Sequence, residues 1–236
     1  LLESDEVILR FEGLDTIADI TLNGEKLGHV ENMHRTWEYS VKELLKAEDN
    51  VLSVYFYSPT KYIAEAFEKA PTLGTEDAMN GFVHIRKAHC MFGWDWGAHL
   101  PDAGIWRPVT LMGVDTARLI SAEVLQYHEE GKVNLEIKPE IAFAANLPVQ
   151  EKLDVNVTIT DPTGKEIICQ KGCEEYITVE NPMLWWPNGY GEQSLYTVSV
   201  DLVKADGTIA DNWTRKIGLR TITMDRTKDQ WGERFA

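Results

Sequence analysis

The stretch EVILRFEGLDTIADITLNGEKLGHV, residues 6–30, decides the fold class. Apolar side chains recur at a period near two along EVILRF and ADITL, the signature of strands with one face buried. Asn23-Gly24 interrupts the pattern, and both residues tolerate the positive φ that a two-residue hairpin turn demands. The same alternation returns in WEYSV (37–41) and NVLSVYFYS (50–58). VKELLKAEDN (41–50) reads as a single helical turn between strands. PTKYIAEAFEKAP, residues 59–71, has prolines at both ends and sets Tyr62, Ala66 and Phe67 on one side, which predicts one real helix. From about Thr72 to Asp102 the chain is irregular and rich in Gly, His, Met and aromatics. GIWRPVTLMGV (104–114) returns to strand.

A second run of strands follows, from RLISAEVLQ through TVSVDLVKADGTIADNWTRKIGL, with short polar turns at Asp161-Pro162-Thr163-Gly164 and Ala205-Asp206-Gly207. About seven strands in about 100 residues predict an immunoglobulin-like sandwich. The boundary between the two runs falls near residue 116.

The 236 residues are 44% apolar and 26% charged, ample for packed cores. Acidic residues outnumber basic ones 38 to 23, a formal charge of −15. Such a surface repels phosphate backbones and anionic lipid, so neither nucleic acid nor membrane is expected as a partner. No apolar run reaches membrane-spanning length. Three cysteines form no disulfide framework and no metal-ligand spacing, which points to thiols in a cytoplasmic setting, to no metal and to no cofactor. A bridge between Cys169 and Cys173 stays open, and Cys90 reads as a packed thiol. The start, LLESDEVILRFEG, enters a strand almost at once and reads as a piece of something longer. The sequons at Asn156 and Asn212 lie in or beside strands and read as chance matches.

Unusual chemistry concentrates in residues 72–107, above all in GWDWG (93–97). An indole beside a carboxylate suits a sugar: the ring packs on the apolar C–H patch of a pyranose while the carboxylate accepts hydroxyl protons. Gly93 and Gly97 would let the backbone turn sharply. On the opposing view, Trp94, Trp96 and Trp106 fill a core beneath a long loop and Asp95 pairs with Arg86, Lys87 or Arg107. NPMLWWPNGYG (181–191) has the look of an aromatic platform, but its Pro and Gly content favours a rigid corner.

Three stretches resemble glycoside hydrolase family 2, and within it the β-mannosidase branch. They are LRFEGLDTIADITLNGEKLG with the strands up to residue 59, IRKAHCMFGWDWGAHLPDAGIWRPVTL (85–111), and NPMLWWPNGYGEQSLYTVSV with KIGLRTI. The resemblance runs from about residue 7 to 222. It implies an all-β chain: a jelly-roll-like (galactose-binding-like) β-sandwich over residues 1–116, truncated at its start, and an immunoglobulin-like β-sandwich over 117–222. Residues 223–236 would lead to a catalytic (β/α)8 barrel. In that family the Trp-Asp-Trp loop reaches the barrel's active site, which implies that Trp94 walls the −1 subsite and Asp95 accepts hydrogen bonds from a β-mannoside. Two glutamates cleave with retention, their carboxyls about 5 Å apart. Both lie on the barrel, so no catalytic residue is expected in this chain, and the chain alone is expected to be inactive. An unpaired edge in the first sandwich would invite a homodimer. The rivals are the same region of a β-galactosidase or β-glucuronidase, a free-standing carbohydrate-binding protein, and a structural pair of adhesion-type sandwiches.

Overall fold

The computed structural model describes residues 1–94, 97–145, 152–172 and 176–233, and the chain divides into two compact units, Leu1–Val114 and Asp115–Ala236. In the first unit the strands are β1 (Glu6–Phe11), β2 (Leu14–Asp15), β3 (Ile17–Leu22), β4 (Glu25–Glu31), β5 (Trp37–Ser40) and β6 (Leu52–Phe56). Helix α1 (Pro59–Lys69) follows, and β7 (Gly104–Ile105) and β8 (Val109–Val114) complete the unit. Two antiparallel sheets, ordered β5-β1-β8 and β4-β3-β6, face one another, and a short β2-β7 pair lies beside them. Their inner faces follow from strand alternation. Val7, Leu9 and Phe11 of β1 meet Ala18, Ile20 and Leu22 of β3, together with Leu14, Val30 and Val41.

Asn23 and Gly24 both take positive φ, 54° and 90°, and join β3 to β4 as the sequence predicts. Asn23 also works as a tie. Its Nδ2 donates to the Leu44 carbonyl at 2.7 Å, and its Oδ1 accepts from the Val51 amide at 2.9 Å. The segment 41–50 contains a 3₁₀ turn at Lys42–Leu44. Helix α1 is capped by Ser58, whose Oγ accepts the Lys61 amide at 3.3 Å, with Pro59 in the first turn where a missing N–H is harmless. Its buried residues are Pro59 and Ile63. Tyr62 remains 37% exposed and Ile63 is buried beside it, while Ala66 and Phe67 of the expected face are partly buried. Ile63 joins Ile17, Phe82, Ile85 and Phe92 in a second small core on the side of β3 away from the sandwich interior.

The second unit holds β9 (Ala117–Glu129), β10 (Lys132–Phe143), β11 (Asp154–Thr160), β12 (Glu166–Lys171), β13 (Ile177–Glu180), β14 (Tyr196–Val203) and β15 (Ile209–Ile217). A small hairpin, β16 (Lys228–Asp229) with β17 (Gly232–Glu233), follows. Sheets ordered β13-β10-β9 and β12-β11-β14-β15 enclose Leu135, Val157, Ile159, Val198, Val200 and Leu202. The strand burial of β14 alternates without exception, which is why its sequence was so readable. Asp211 on β15 accepts the Leu119 amide at 2.7 Å, tying the strand to β9. The chain is therefore all-β with two sandwiches, as the sequence predicts.

On the outer face of β3, Asp19 gathers three donors. Tyr57 Oη donates to Oδ2 at 2.7 Å, while His29 Nδ1 and Lys26 Nζ approach Oδ1 at 2.9 and 3.0 Å. The Tyr57 hydrogen bond first, then those of His29 and Lys26, holds the Asp19 carboxyl far below the usual carboxylate range. A depressed folded pKa gives stability that is complete above the unfolded value of about 3.9 and is lost as pH falls below it. Asp19→Asn should therefore be less stable than the parent above about pH 4, with the gap closing on further acidification. Urea midpoints measured from neutral to acid pH check this, and a gap independent of pH would contradict it.

Candidate functional site

The irregular stretch is held in place by its own buried core, by backbone bridges and by one charge pair. Two 3₁₀ turns, Phe82–His84 and His89–Phe92, drive Phe82 and Phe92 into the small core with Ile17 and Ile63. Gly81 sits at φ 83°, and a Cβ there would meet the Ile63 carbonyl oxygen at 2.4 Å, so glycine is required where the loop presses on α1. Asn32 and Arg86 form a parallel bridge, and the Met33 amide donates to the Arg86 carbonyl at 3.1 Å. Trp106 fastens the returning end. Its Nε1 donates to the Met33 carbonyl at 3.2 Å, and the Arg107 guanidinium lies 4.2 Å from its ring centre.

The pairing of Lys87 with Asp15 is what sequence reasoning missed. The Lys87 side chain is fully buried, pairs with the buried carboxylate of Asp15, and lies 3.6 Å from Asp102 at the surface. A buried ammonium is tolerated only when a partner offsets its desolvation. Here the partner comes from β2, far away in sequence. The sequence signal was weak, a lone Lys in a loop whose carboxylate partners were sought nearby. Asp15, Met33, Met91, Asp102 and Trp106 also line a cleft of about 300 Å³.

Trp94 is half exposed, and the Gly97 amide donates to its carbonyl at 3.1 Å. Gly93 has φ 112°, and a Cβ there would lie 2.7 Å from the Asp77 carbonyl and 2.1 Å from the His99 ring. His99 Nε2 lies 3.0 Å from that same carbonyl. The glycine and His99 thus pin the entrance of the Trp94–Gly97 segment to residue 77. Asp95, the second residue expected to meet the sugar, and Trp96 lie outside the described residues. Trp94 and Trp106 do not share a core: both are at least 44% exposed. Cys90 is an exposed free thiol rather than a packed one, and so is Cys169; Cys173 lies outside the described residues. His84 and His89 are engaged with the carbonyls of Ala70 and Ile85, and no cluster of three metal-ligating residues occurs among the described residues. In the second unit, Trp185 packs on Gly218 with the Arg220 guanidinium 4.8 Å from its ring centre, while Trp186 and Tyr190 stand exposed.

Removing Lys87 alone leaves the Asp15 carboxylate buried and unpaired, a loss of roughly 3–5 kcal/mol. Lys87→Ala should fall by that amount in urea denaturation. The double variant Lys87→Met/Asp15→Leu should recover most of it, and equal losses in the two would show that the pair is not what fastens the loop.

Two family models match in succession: glycosyl hydrolase 2 galactose-binding domain-like over residues 1–107, and glycosyl hydrolases family 2 over residues 116–220. β-Mannosidase B of Aspergillus flavus is 32% identical over 97% of this chain, and β-mannosidase of Bos taurus is 28% identical over 93%. The crystal structure of a β-D-mannosidase from Dictyoglomus thermophilum superposes with a TM-score of 0.88 at 34% identity, covering 99% of this chain and 29% of that one. The chain spans 28% and 27% of the lengths of the two curated relatives. With a galactose-binding-like sandwich followed by an immunoglobulin-like one, each matched by its own model, the chain belongs to glycoside hydrolase family 2.

Proposed function

We propose that the chain is the non-catalytic N-terminal portion of a retaining exo-β-mannosidase, and that Trp94 and Asp95 contribute to its −1 sugar subsite. The observation that carries this is the half-exposed indole of Trp94, on a segment pinned by Gly93, in a chain similar to β-mannosidases along nearly its whole length. The Trp94 ring would pack on the C–H face of the mannose, and the Asp95 carboxylate would accept hydrogen bonds from its hydroxyls. The two catalytic glutamates would stand on a (β/α)8 barrel beyond residues 223–236. The two sandwiches would buttress that barrel and fix the position of the loop against it. The exposed free thiols of Cys90 and Cys169 fit a reducing, cytoplasmic location.

Such a division of labour is economical in chemical terms. The barrel supplies the acid/base and the nucleophile. The sandwich supplies hydrogen-bond acceptors that need no reorganisation when the oxocarbenium-like transition state forms. A carboxylate receiving two hydroxyl hydrogen bonds, each worth about 1.5–3 kcal/mol, affects turnover by about 10²–10⁴-fold if the bonds strengthen at the transition state.

The test uses the full-length parent enzyme on aryl β-mannoside, β-galactoside and β-glucuronide. β-Mannoside should be preferred, and Asp95→Ala should lose about 10²–10⁴-fold in kcat/KM while folding normally. Trp94→Ala should lose less, chiefly through KM, because stacking contributes about equally to ground and transition states. If Asp95→Ala retains full activity, the subsite assignment fails. If another glycoside is preferred, the mannosidase reading fails while the assignment of Asp95 can survive.

A further inference from the structure

We propose that the first unit carries a second saccharide-binding site, on residues other than Trp94 and Asp95, in the pocket between helix α1 and the outer face of β3 and β4. The pocket has a volume of about 340 Å³ and is lined by Ile17, His29, Tyr57, Ser58, Lys61, Tyr62 and Glu65. That volume falls at the lower end of the ~300–1,000 Å³ range of small-molecule sites.

Its side chains are placed before any ligand arrives. Tyr57 donates its hydroxyl proton to Asp19 at 2.7 Å, which leaves the phenol oxygen as an acceptor. His29 Nδ1 lies 2.9 Å from the same carboxylate. The ring of Tyr57 is held edge-to-face on both sides, 6.0 Å from His29 and 5.0 Å from Tyr55. Tyr62 projects from the first turns of α1 with its ring 37% exposed, and Tyr57 is 40% exposed. Lys61 adds a donor, 4.0 Å from Glu65.

The charges decide the class of ligand. The two charged chains of the lining, Lys61 and Glu65, are of opposite sign, and Asp19 behind Tyr57 and His29 is paired with Lys26. Aromatic surface for C–H faces, interleaved with oriented acceptors and one donor for hydroxyls, matches a neutral pyranoside of one or two rings. The wider groove of about 830 Å³ along residues 83–89, with Asn32 and His34, has no tyrosine or tryptophan in its lining. There His84 and His89 are spent on backbone carbonyls, and Lys87 is buried with Asp15.

The experiment is ligand-observed NMR on the 236-residue chain with methyl β-D-mannopyranoside, mannobiose and cellobiose as probes. Saturable binding is expected for at least one probe, with Kd on the order of 1 mM. Tyr62→Ala, at an exposed position that the fold does not need, should weaken it at least about tenfold, as should Tyr57→Phe/Lys61→Ala, while Asp95→Ala should leave it unchanged. No saturable binding by any probe overturns the proposal, as does binding that survives Tyr62→Ala and the double variant. Binding lost in Asp95→Ala but kept in Tyr62→Ala also overturns it, and places the sugar on the Trp94 loop instead. Failure here leaves the −1 subsite reading standing, because that reading is tested by turnover in the full-length enzyme.

Discussion

Strand β3 has only two faces, and the first unit is arranged by what each must cover. Ala18, Ile20 and Leu22 point into the sandwich, where β1 meets them. Ile17 lies on the other face with no second sheet above it. Left bare, Ile17 would expose an aliphatic side chain on a central strand, and the chain covers it with helix α1 and the irregular stretch, through Ile63, Phe82, Ile85 and Phe92. Two positions along the same face, Asp19 is polar and draws in Tyr57, His29 and Lys26. The period of two thus produces a dry anchor and a polar hub on one outer face, and the loop bearing Trp94 inherits its position from the anchor.

A long loop cannot be fixed by apolar contact alone when much of its backbone must remain accessible. The first unit solves this by mixing interaction types. The small core fixes its middle, the Met33–Arg86 and Trp106–Met33 hydrogen bonds fix its flanks, and the Lys87–Asp15 pair locks the register between them. The ion pair need not raise stability over an apolar substitute. Its value lies in specificity, because a buried ammonium accepts one location and rejects shifted ones. If Trp94 meets a sugar as proposed, its segment needs that kind of constraint more than it needs extra free energy.

Much of this was legible from residues. The alternation in residues 6–30, the Asn23-Gly24 hairpin, the helix that starts at Pro59 and the strand pattern of the second unit all follow local rules, and the structure obeys them. The helix face was misjudged at Tyr62 because hydropathy alone cannot tell a half-exposed ring from the buried Ile63 beside it. Lys87 and Asp19 were illegible for a different reason. Both owe their roles to partners brought together by topology, Asp15 from β2 in one case and Tyr57 from beyond β6 in the other, and no spacing in the chain encodes such pairings. The Trp-Asp-Trp loop was conspicuous by composition, yet its chemistry rested on resemblance, and only the exposure of Trp94 and the pinning of Gly93 add physical support.

In the proposed arrangement a pocket wall comes from one domain and the catalysts from another, so sugar recognition would depend on how precisely each wall is held. The field of an Asp or the face of a Trp acts over a few ångströms, so a displaced loop loses transition-state contacts even if every catalytic atom is in place. If the proposed subsite holds, selection on turnover would bear on residues that never touch sugar. Gly93 is one, because a Cβ would strike the Asp77 carbonyl. Gly81 is another, because a Cβ would strike α1. Lys87 is the third, since its charge has nowhere else to go. On the proposed assignment, the first sandwich would act as a mould that sets the shape of one edge of the sugar site.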